Sequence, residues 1–413
     1  MNIYLAIIIF SLIAVYILEG VGQLLNIRAL DTGLPEEFRD TFDENKYKNS
    51  QEYTRKSTKL NLISSTVNLA VVLGFILLGG FPWLDSLLRG LELSNLFTGL
   101  LFFAVLAVAQ GVIGEPFELY RTFVLEEKFG FNRMTLRTYL GDKLKELLLI
   151  LLIGGPVLAG FLLFLQNFTD WGWFYAWMFI VLVMLVLQYI APTWILPLFN
   201  KFTPLEEGEL KSKIMQYAQR MGFDLSGIFV MDGSKRSTKS NAFFTGFGKK
   251  KRIALFDTLI EKHEPDELVS VLAHEVGHFK LKHILKNILL GIFKTGVLLY
   301  IMSFFITHEP LFEAFGMQNV SVYAGLVFFM LLYTPVSIVL ALFVNSLSRK
   351  YEYQADAFAA KTTGDSDSLV RALKRLSADN LSNLTPHPFY VFLEYAHPPV
   401  LHRIRELKQN ADI

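Results

Sequence analysis

His274-Glu275-Val276-Gly277-His278 sets two imidazoles four residues apart with a carboxylate between them. On an α-helix, positions four apart lie nearly one above the other, so both rings point to the same side. Two such nitrogens can fill two corners of a zinc tetrahedron, with Glu275 beside the corner left for water. That is the minimum apparatus for hydrolysing a peptide bond with a metal. The competing reading is a surface helix that carries two exposed histidines.

A hydrolytic zinc usually takes three protein ligands and one water. The extended HExxHxxGxxH pattern is absent. Leu281 and Ile284 stand where its glycine and third histidine would be, and His283 is one place early. A later helix must then supply the third ligand. The candidate is Glu352, within Arg349-Lys350-Tyr351-Glu352-Tyr353-Gln354-Ala355-Asp356. Asp356, four residues on, shares its face and can accept a hydrogen bond from the far nitrogen of a ligand histidine. Taken alone, Glu352 reads as a solvated acid beside Arg349 and Lys350. An incomplete zinc site elsewhere in the chain makes it a ligand, and one Zn2+ per chain follows.

The elements that must position these residues are mostly membrane spans. The chain of 413 residues is 52% hydrophobic, with mean hydropathy +0.39 and 37 phenylalanines. Only 19% of residues are charged, below the roughly 25% of ordinary globular domains. A net charge of +1 gives no case for nucleic-acid binding. Cysteine is absent, so disulfides and thiolate ligands are excluded and any metal rests on His, Asp or Glu.

Seven apolar segments are long enough to cross roughly 30 Å of hydrocarbon: Ile3–Leu24, Leu60–Leu78, Leu96–Ile113, Leu147–Leu165, Trp173–Ile190, Ile284–Ile306 and Val320–Val344. The first lacks a basic n-region and a small-residue cleavage site, and reads as a retained span. Basic residues crowd alternate connections. Arg28, Arg39, Lys46 and Lys48 follow the first span, and Arg121, Lys128, Arg133 and Arg137 follow the third. This places the amino terminus outside and the catalytic regions in the cytoplasm. Compact loops and no retrieval tetrapeptide favour a bacterial inner membrane over the endoplasmic reticulum.

Four regions result: spans one to five in 1–191, a cytoplasmic catalytic region in 192–283, spans six and seven in 284–345, and a carboxyl-terminal region with the third ligand in 346–413. In the second region, Glu206–Met221 reads as a helix and Ile228–Met231 as a strand. Ala242–Gly246 and Ile253–Phe256 read as a hairpin around basic Gly248–Arg252. Pro265, Asp266 and Glu267 suit the first turn of the motif helix, which runs on towards span six.

Several stretches beyond the motif carry a resemblance. They are Glu115-Pro116 to Asp142, with Glu126-Glu127-Lys128-Phe129-Gly130-Phe131-Asn132 inside it; Leu196-Pro197-Leu198-Phe199-Asn200; Ser240-Asn241-Ala242; Arg252 to Asp257; Tyr351 to Asp356; and His397-Pro398-Pro399. Nearly end to end, the chain resembles the integral-membrane zinc metalloproteases typified by CAAX prenyl protease type I. The resemblance implies an α-helical membrane protein whose seven helices enclose a chamber, with a small α+β zincin-like catalytic domain. It implies His274, His278 and Glu352 as zinc ligands and Glu275 as general base. It also suggests that Asn241 binds substrate backbone and that His397 and Arg403 steady an oxyanion. Their plainer readings are a hairpin cap for Asn241 and a rigid loop residue for His397. His263, His283, His308, His387 and His402 read as surface or packing residues.

A substrate strand would add to the edge of the hairpin. The expected partners are a lipid bilayer and a peptide or protein substrate, prenylated in the leading reading; the chain reads as a monomer. Two other readings stay open. One is a quality-control protease of membrane proteins with no prenyl preference. The other is a seven-span transporter or receptor with a regulatory metal. Glu19, Asn68, Gln110, Gln188 and Lys294 lie in or near spans, where polar groups line a cavity or bond between helices.

Overall fold

Seven helices carry apolar windows long enough to span a bilayer: Ile3–Arg28, Glu44–Leu77, Asn95–Glu126, Leu136–Asn167, Gly172–Phe199, His283–Ser303 and Val322–Thr363, here spans one to seven. Each overlaps its expected segment. The structure, a computed structural model, describes residues 2–31, 33–168, 170–245 and 251–411. Side-chain oxygens start several helices: Asn2 accepts from the Tyr4 amide and Asp43 from the Lys46 amide. Spans two and seven run to 34 and 42 residues, about 50 and 60 Å at 1.5 Å per residue. Both therefore continue beyond the hydrocarbon into the soluble region.

The spans do not pack into a solid bundle. At most 17% of the residues in any span's apolar window are buried, and none in span five. A helix packed against neighbours on one side would bury a stripe of three or four residues in every two turns. The low burial fits helices standing around an open interior. Between spans two and three, Gln110 donates to Asn68 at 3.0 Å, so these two polar residues satisfy each other.

One end of the spans is closed by an aromatic cluster. The connections after spans two and six carry short helices at Gly80–Arg89 and Glu309–Ala314. Their Phe81, Phe312 and Phe315 pack with Phe102 and Phe328, the last two in spans three and seven. Phe315 and Phe328 stack with centroids 3.9 Å apart. This absorbs part of the phenylalanine excess.

At the other end lies the small soluble unit. Its sheet has the order β1-β2-β4-β3, with β1 Phe202–Pro204, β2 Leu225–Met231, β3 Ala242–Thr245 and β4 Lys251–Phe256. β2 and β4 are parallel, while β1 and β3 flank them antiparallel. The expected hairpin is present; residues 246–250 of its turn lie outside the described residues. β3 is therefore an edge strand. The helix Glu209–Arg220 begins later than its expected start at Glu206.

The motif helix covers Pro265–Lys280. Pro265 opens it, and Glu264 and Glu267 cap each other's backbone amides in a reciprocal box. Its buried face, from Leu268 to Val276, joins the core formed by the sheet and the helices Ser366–Asp379 and Val400–Ala411. In one respect the helix departs from expectation: it does not run on into span six. Leu281 and Lys282 form a turn, and Lys282 takes φ +60°. A left-handed residue cannot continue a right-handed helix, so span six restarts at His283 in a new direction.

Candidate metal centre

Gly277 is the residue that lets the two ligand-bearing helices meet. A Cβ there would lie 3.1 Å from Phe358 Cδ1 and 3.2 Å from the Ala355 Cα and carbonyl oxygen. The motif helix therefore rests almost backbone to backbone on the soluble end of span seven. Glu352 and Asp356, one turn apart on span seven, consequently face the motif histidines.

The convergence is close. One ligand atom each from His274, His278 and Glu352 lie within 4.8 Å of one another. The two Nε2 atoms are 3.1 Å apart, and Glu352 oxygens stand 3.4 Å from His274 Nε2 and 3.3 Å from His278 Nε2. Ligand atoms roughly 2.0–2.1 Å from a tetrahedral zinc lie about 3.3–3.4 Å apart; the two imidazole nitrogens and the nearest Glu352 oxygen to each, Oε2 for His274 and Oε1 for His278, are separated by distances of that order. Glu352 Oε2 is buried and makes no hydrogen bond. A buried carboxylate oxygen in that condition calls for a cation. The donor set, two imidazoles and a carboxylate, suits zinc.

Behind His274, the far nitrogen Nδ1 is 2.8 Å from Asp356 Oδ1. Asp356 is held in turn by Arg403, through Nε to Oδ2 at 2.7 Å and Nη2 to Oδ1 at 2.6 Å. Burial opposes a charge on His274, but the adjacent Asp356 and Glu352 carboxylates outweigh it and push its pKa up to about 9 in the metal-free protein. Arg403 Nη1 also reaches Glu352 Oε2 at 3.4 Å.

Behind His278 stands His283, which the sequence offers only as a surface or packing residue. His283 Nδ1 is 3.1 Å from His278 Nδ1, and His283 Nε2 is 3.0 Å from Gln354 Oε1. Its ring stacks on Tyr351 at 4.1 Å and 9°. One proton arrangement satisfies the whole chain: His278 Nδ1–H donates to His283, and His283 Nε2–H donates to Gln354. That leaves His278 Nε2 with a free lone pair facing the cluster. Five residues on from His278, His283 would point away on a continuous helix. The turn at Lys282 brings it back.

The cluster opens into a cleft of about 310 Å³ lined by Asn241, Ala242, Glu275, His397 and Arg403, with Leu369, Leu373 and Leu376 on an apolar side. His397 is the most open of these, its side chain 70% exposed and Nε2 3.4 Å from Glu352 Oε1. Asn241 is exposed at the start of β3, its Oδ1 accepting from the Ala242 amide. All eight residues singled out in the sequence thus meet in one place. Of the other histidines, His263 is buried with Nδ1 at the Leu259 carbonyl, His308 meets Tyr4 at the far end, His387 caps a short helix and His402 is exposed.

Comparison with known proteins extends the pattern to the whole chain. Residues 23–201 match the family described as CAAX prenyl protease N-terminal, five membrane helices, and residues 204–411 match peptidase family M48. CAAX prenyl protease 1 of Saccharomyces cerevisiae is 36% identical over 91% of this chain and 89% of its own length. The CAAX prenyl protease 1 homolog of Dictyostelium discoideum is 38% identical over 92% and 90%. The crystal structure of S. mikatae Ste24p superposes with a TM-score of 0.94 at 34% identity, covering 98% of this chain and 99% of that one. A seven-span zinc metalloprotease fold leaves no room for the transporter or receptor reading, and the chain belongs to the CAAX prenyl protease 1 family of M48 metalloproteases.

Proposed function

We propose that this chain is a membrane-embedded zinc endopeptidase that removes the carboxyl-terminal tripeptide of prenylated CaaX proteins or peptides. The observation that carries the chemistry is the convergence of His274, His278 and Glu352, one ligand atom from each within 4.8 Å of the others, set beside Glu275 in a cleft. The prenylated substrate rests on the named relatives and on the membrane setting.

His274, His278 and Glu352 would hold the zinc, which when bound polarises the scissile carbonyl and acidifies water. Glu275 accepts the proton of the attacking water and passes it to the departing amine. His397, open to the cleft, donates to the oxygen that becomes negative in the tetrahedral state. Arg403 commits two donors to Asp356, so its main duty is to fix that carboxylate and, through it, His274. Asn241 and the free edge of β3 receive the peptide backbone by strand addition. On the alternation of basic connections, we place this apparatus on the cytoplasmic side. The relatives named above are eukaryotic, which weighs against the bacterial inner membrane that compact loops favour.

The test uses purified protein with a farnesylated CaaX peptide and its unprenylated twin, each with and without chelator. We expect chelator-sensitive cleavage of the farnesylated peptide, and we expect Glu275→Gln to keep its zinc while losing roughly 10³-fold or more in rate. Undiminished cleavage by Glu275→Gln sinks the mechanism. Equal cleavage of both peptides removes the prenyl preference and favours a quality-control protease.

A further inference from the structure

The stretch Glu126-Glu127-Lys128-Phe129-Gly130-Phe131-Asn132 has no part in the metal chemistry, yet it lies against the segment that leads into β3. The loop pairs with that segment as a short antiparallel ladder. Asn132 bridges Ser237, the Arg133 amide donates to the Arg236 carbonyl at 3.0 Å, and the Thr238 amide donates to the Phe131 carbonyl at 3.0 Å. Gly130 takes φ +73° at the turn, and its carbonyl accepts from Thr238 Oγ1 at 3.0 Å.

Every residue from Arg236 to Ser240 is tied down. Arg236 grips Asp142 through Nε at 2.8 Å and Nη2 at 3.0 Å, and reaches the Asn200 side chain at 2.8 Å. Lys239 Nζ donates to Glu126 Oε1 at 3.0 Å and to Tyr53 Oη at 2.8 Å. It also sits 4.5 Å over the Phe131 ring and 5.0 Å over the Tyr53 ring. Ser240 exchanges two hydrogen bonds with the Asn380 side chain, at 3.1 and 3.3 Å. The next residue is Asn241, and after it comes the open edge.

A solvated surface lysine needs none of this. An ammonium held by a carboxylate, a phenol and two aromatic faces has lost most of its freedom, and the cation–π geometry adds to the ion pair. The cage is built from span two, the end of span three and the loop after it, so it measures the position of the β3 entrance against the membrane helices.

We propose that Lys239, caged by Tyr53, Glu126 and Phe131, is a positioning residue for peptide hydrolysis: it fixes the height and register of the β3 edge over the metal cluster. This rests on the reading of the cleft as a peptidase site. Main-chain bonds to an edge strand form in the bound substrate and persist in the transition state, so their loss raises KM more than it lowers kcat.

The test compares the full-length protein with Lys239→Met and Lys239→Arg, using an internally quenched farnesylated peptide. For Lys239→Met we expect KM to rise about tenfold with kcat changed less than about threefold, and zinc content and melting temperature to be retained. Lys239→Arg, which keeps the charge and the aromatic contact, restores most of the loss. Hydrogen exchange supplies a readout independent of catalysis: Ala242–Thr245 amides should exchange faster in Lys239→Met while β2 amides stay protected. Unchanged KM together with unchanged exchange overturns the proposal, as does a loss of zinc and melting temperature that Lys239→Arg fails to repair. If the wild-type protein holds zinc but cleaves no peptide, the peptidase reading fails, and the exchange data alone then decide whether the cage positions β3.

Discussion

The two histidines of one motif are backed in opposite ways. Behind His274 stands a buried charged pair, Asp356 with Arg403. Behind His278 stands an uncharged relay, His283 stacked on Tyr351 and bonded to Gln354. A charged backing strengthens the ligand's basicity and couples it to protons. A neutral one mainly fixes tautomer and ring orientation. The difference follows from place. His274 sits in the interior of the helix, packed against span seven, whereas His278 lies in the last turn, next to the break at Lys282.

The largest effect should come from the charged side. Asp356→Ala takes from the buried Arg403 guanidinium the carboxylate that holds it by two bonds, leaving only the longer contact to Glu352, a loss of about 3–5 kcal/mol, and frees the His274 ring. A thermal melt and a zinc assay should show both falling together; a melt within about 1 kcal/mol of wild type would show the pair to be structurally idle. On the neutral side, His283→Ala should weaken zinc binding about 10–100-fold with a smaller change in the melt. Zinc affinity equal to wild type would break the comparison outright. Gly277→Ala acts on both sides at once, because its Cβ would stand 3.1–3.2 Å from Phe358 and Ala355 of the facing helix. Its expected cost is about 1–3 kcal/mol, read as a lower melting temperature with zinc lost from both ligands.

The smallest effect is a pH dependence that should belong to one side only. In the metal-free protein His274 is held protonated up to about 9, so a proton competes with zinc at neutral pH. Zinc affinity should therefore fall about tenfold for each pH unit below that value. The sign for stability is the reverse. The raised pKa stabilises the metal-free fold below about 6.5, and that contribution is lost as pH rises through 9. Zinc titrations at pH 7 and 8 measure the first effect, and Asp356→Ala should flatten it.

Much of this was legible in the residues. A four-residue spacing on a helix forces His274 and His278 to one side, and the same spacing does so for Glu352 and Asp356. Long apolar runs read as spans because nothing else can hold them. What stayed hidden depended on a single backbone angle or on distant pairing. His283 seemed to face away from the site because the left-handed turn at Lys282 has no signature beyond the end of a periodic pattern. β1, only three residues long, has no alternation to detect. The bond from Arg403 to Asp356 spans 47 positions of chain, so no local pattern announces it. The ladder between Phe131 and Thr238 joins loops with no periodicity of their own.

Glu352 sits on a helix of 42 residues that begins at Val322, at the end of the spans away from the metal cluster, and this governs the order in which the protein is made. The histidine pair leaves the ribosome first, followed by two spans that must insert before the third ligand appears. Arg403 and His397 arrive later still, within the last stretch of chain. During synthesis the chain therefore carries two of its three candidate ligands until span seven has emerged, and the site is complete only once the later helices have docked on it. The topology itself keeps a nascent hydrolase inert while its own loops are exposed.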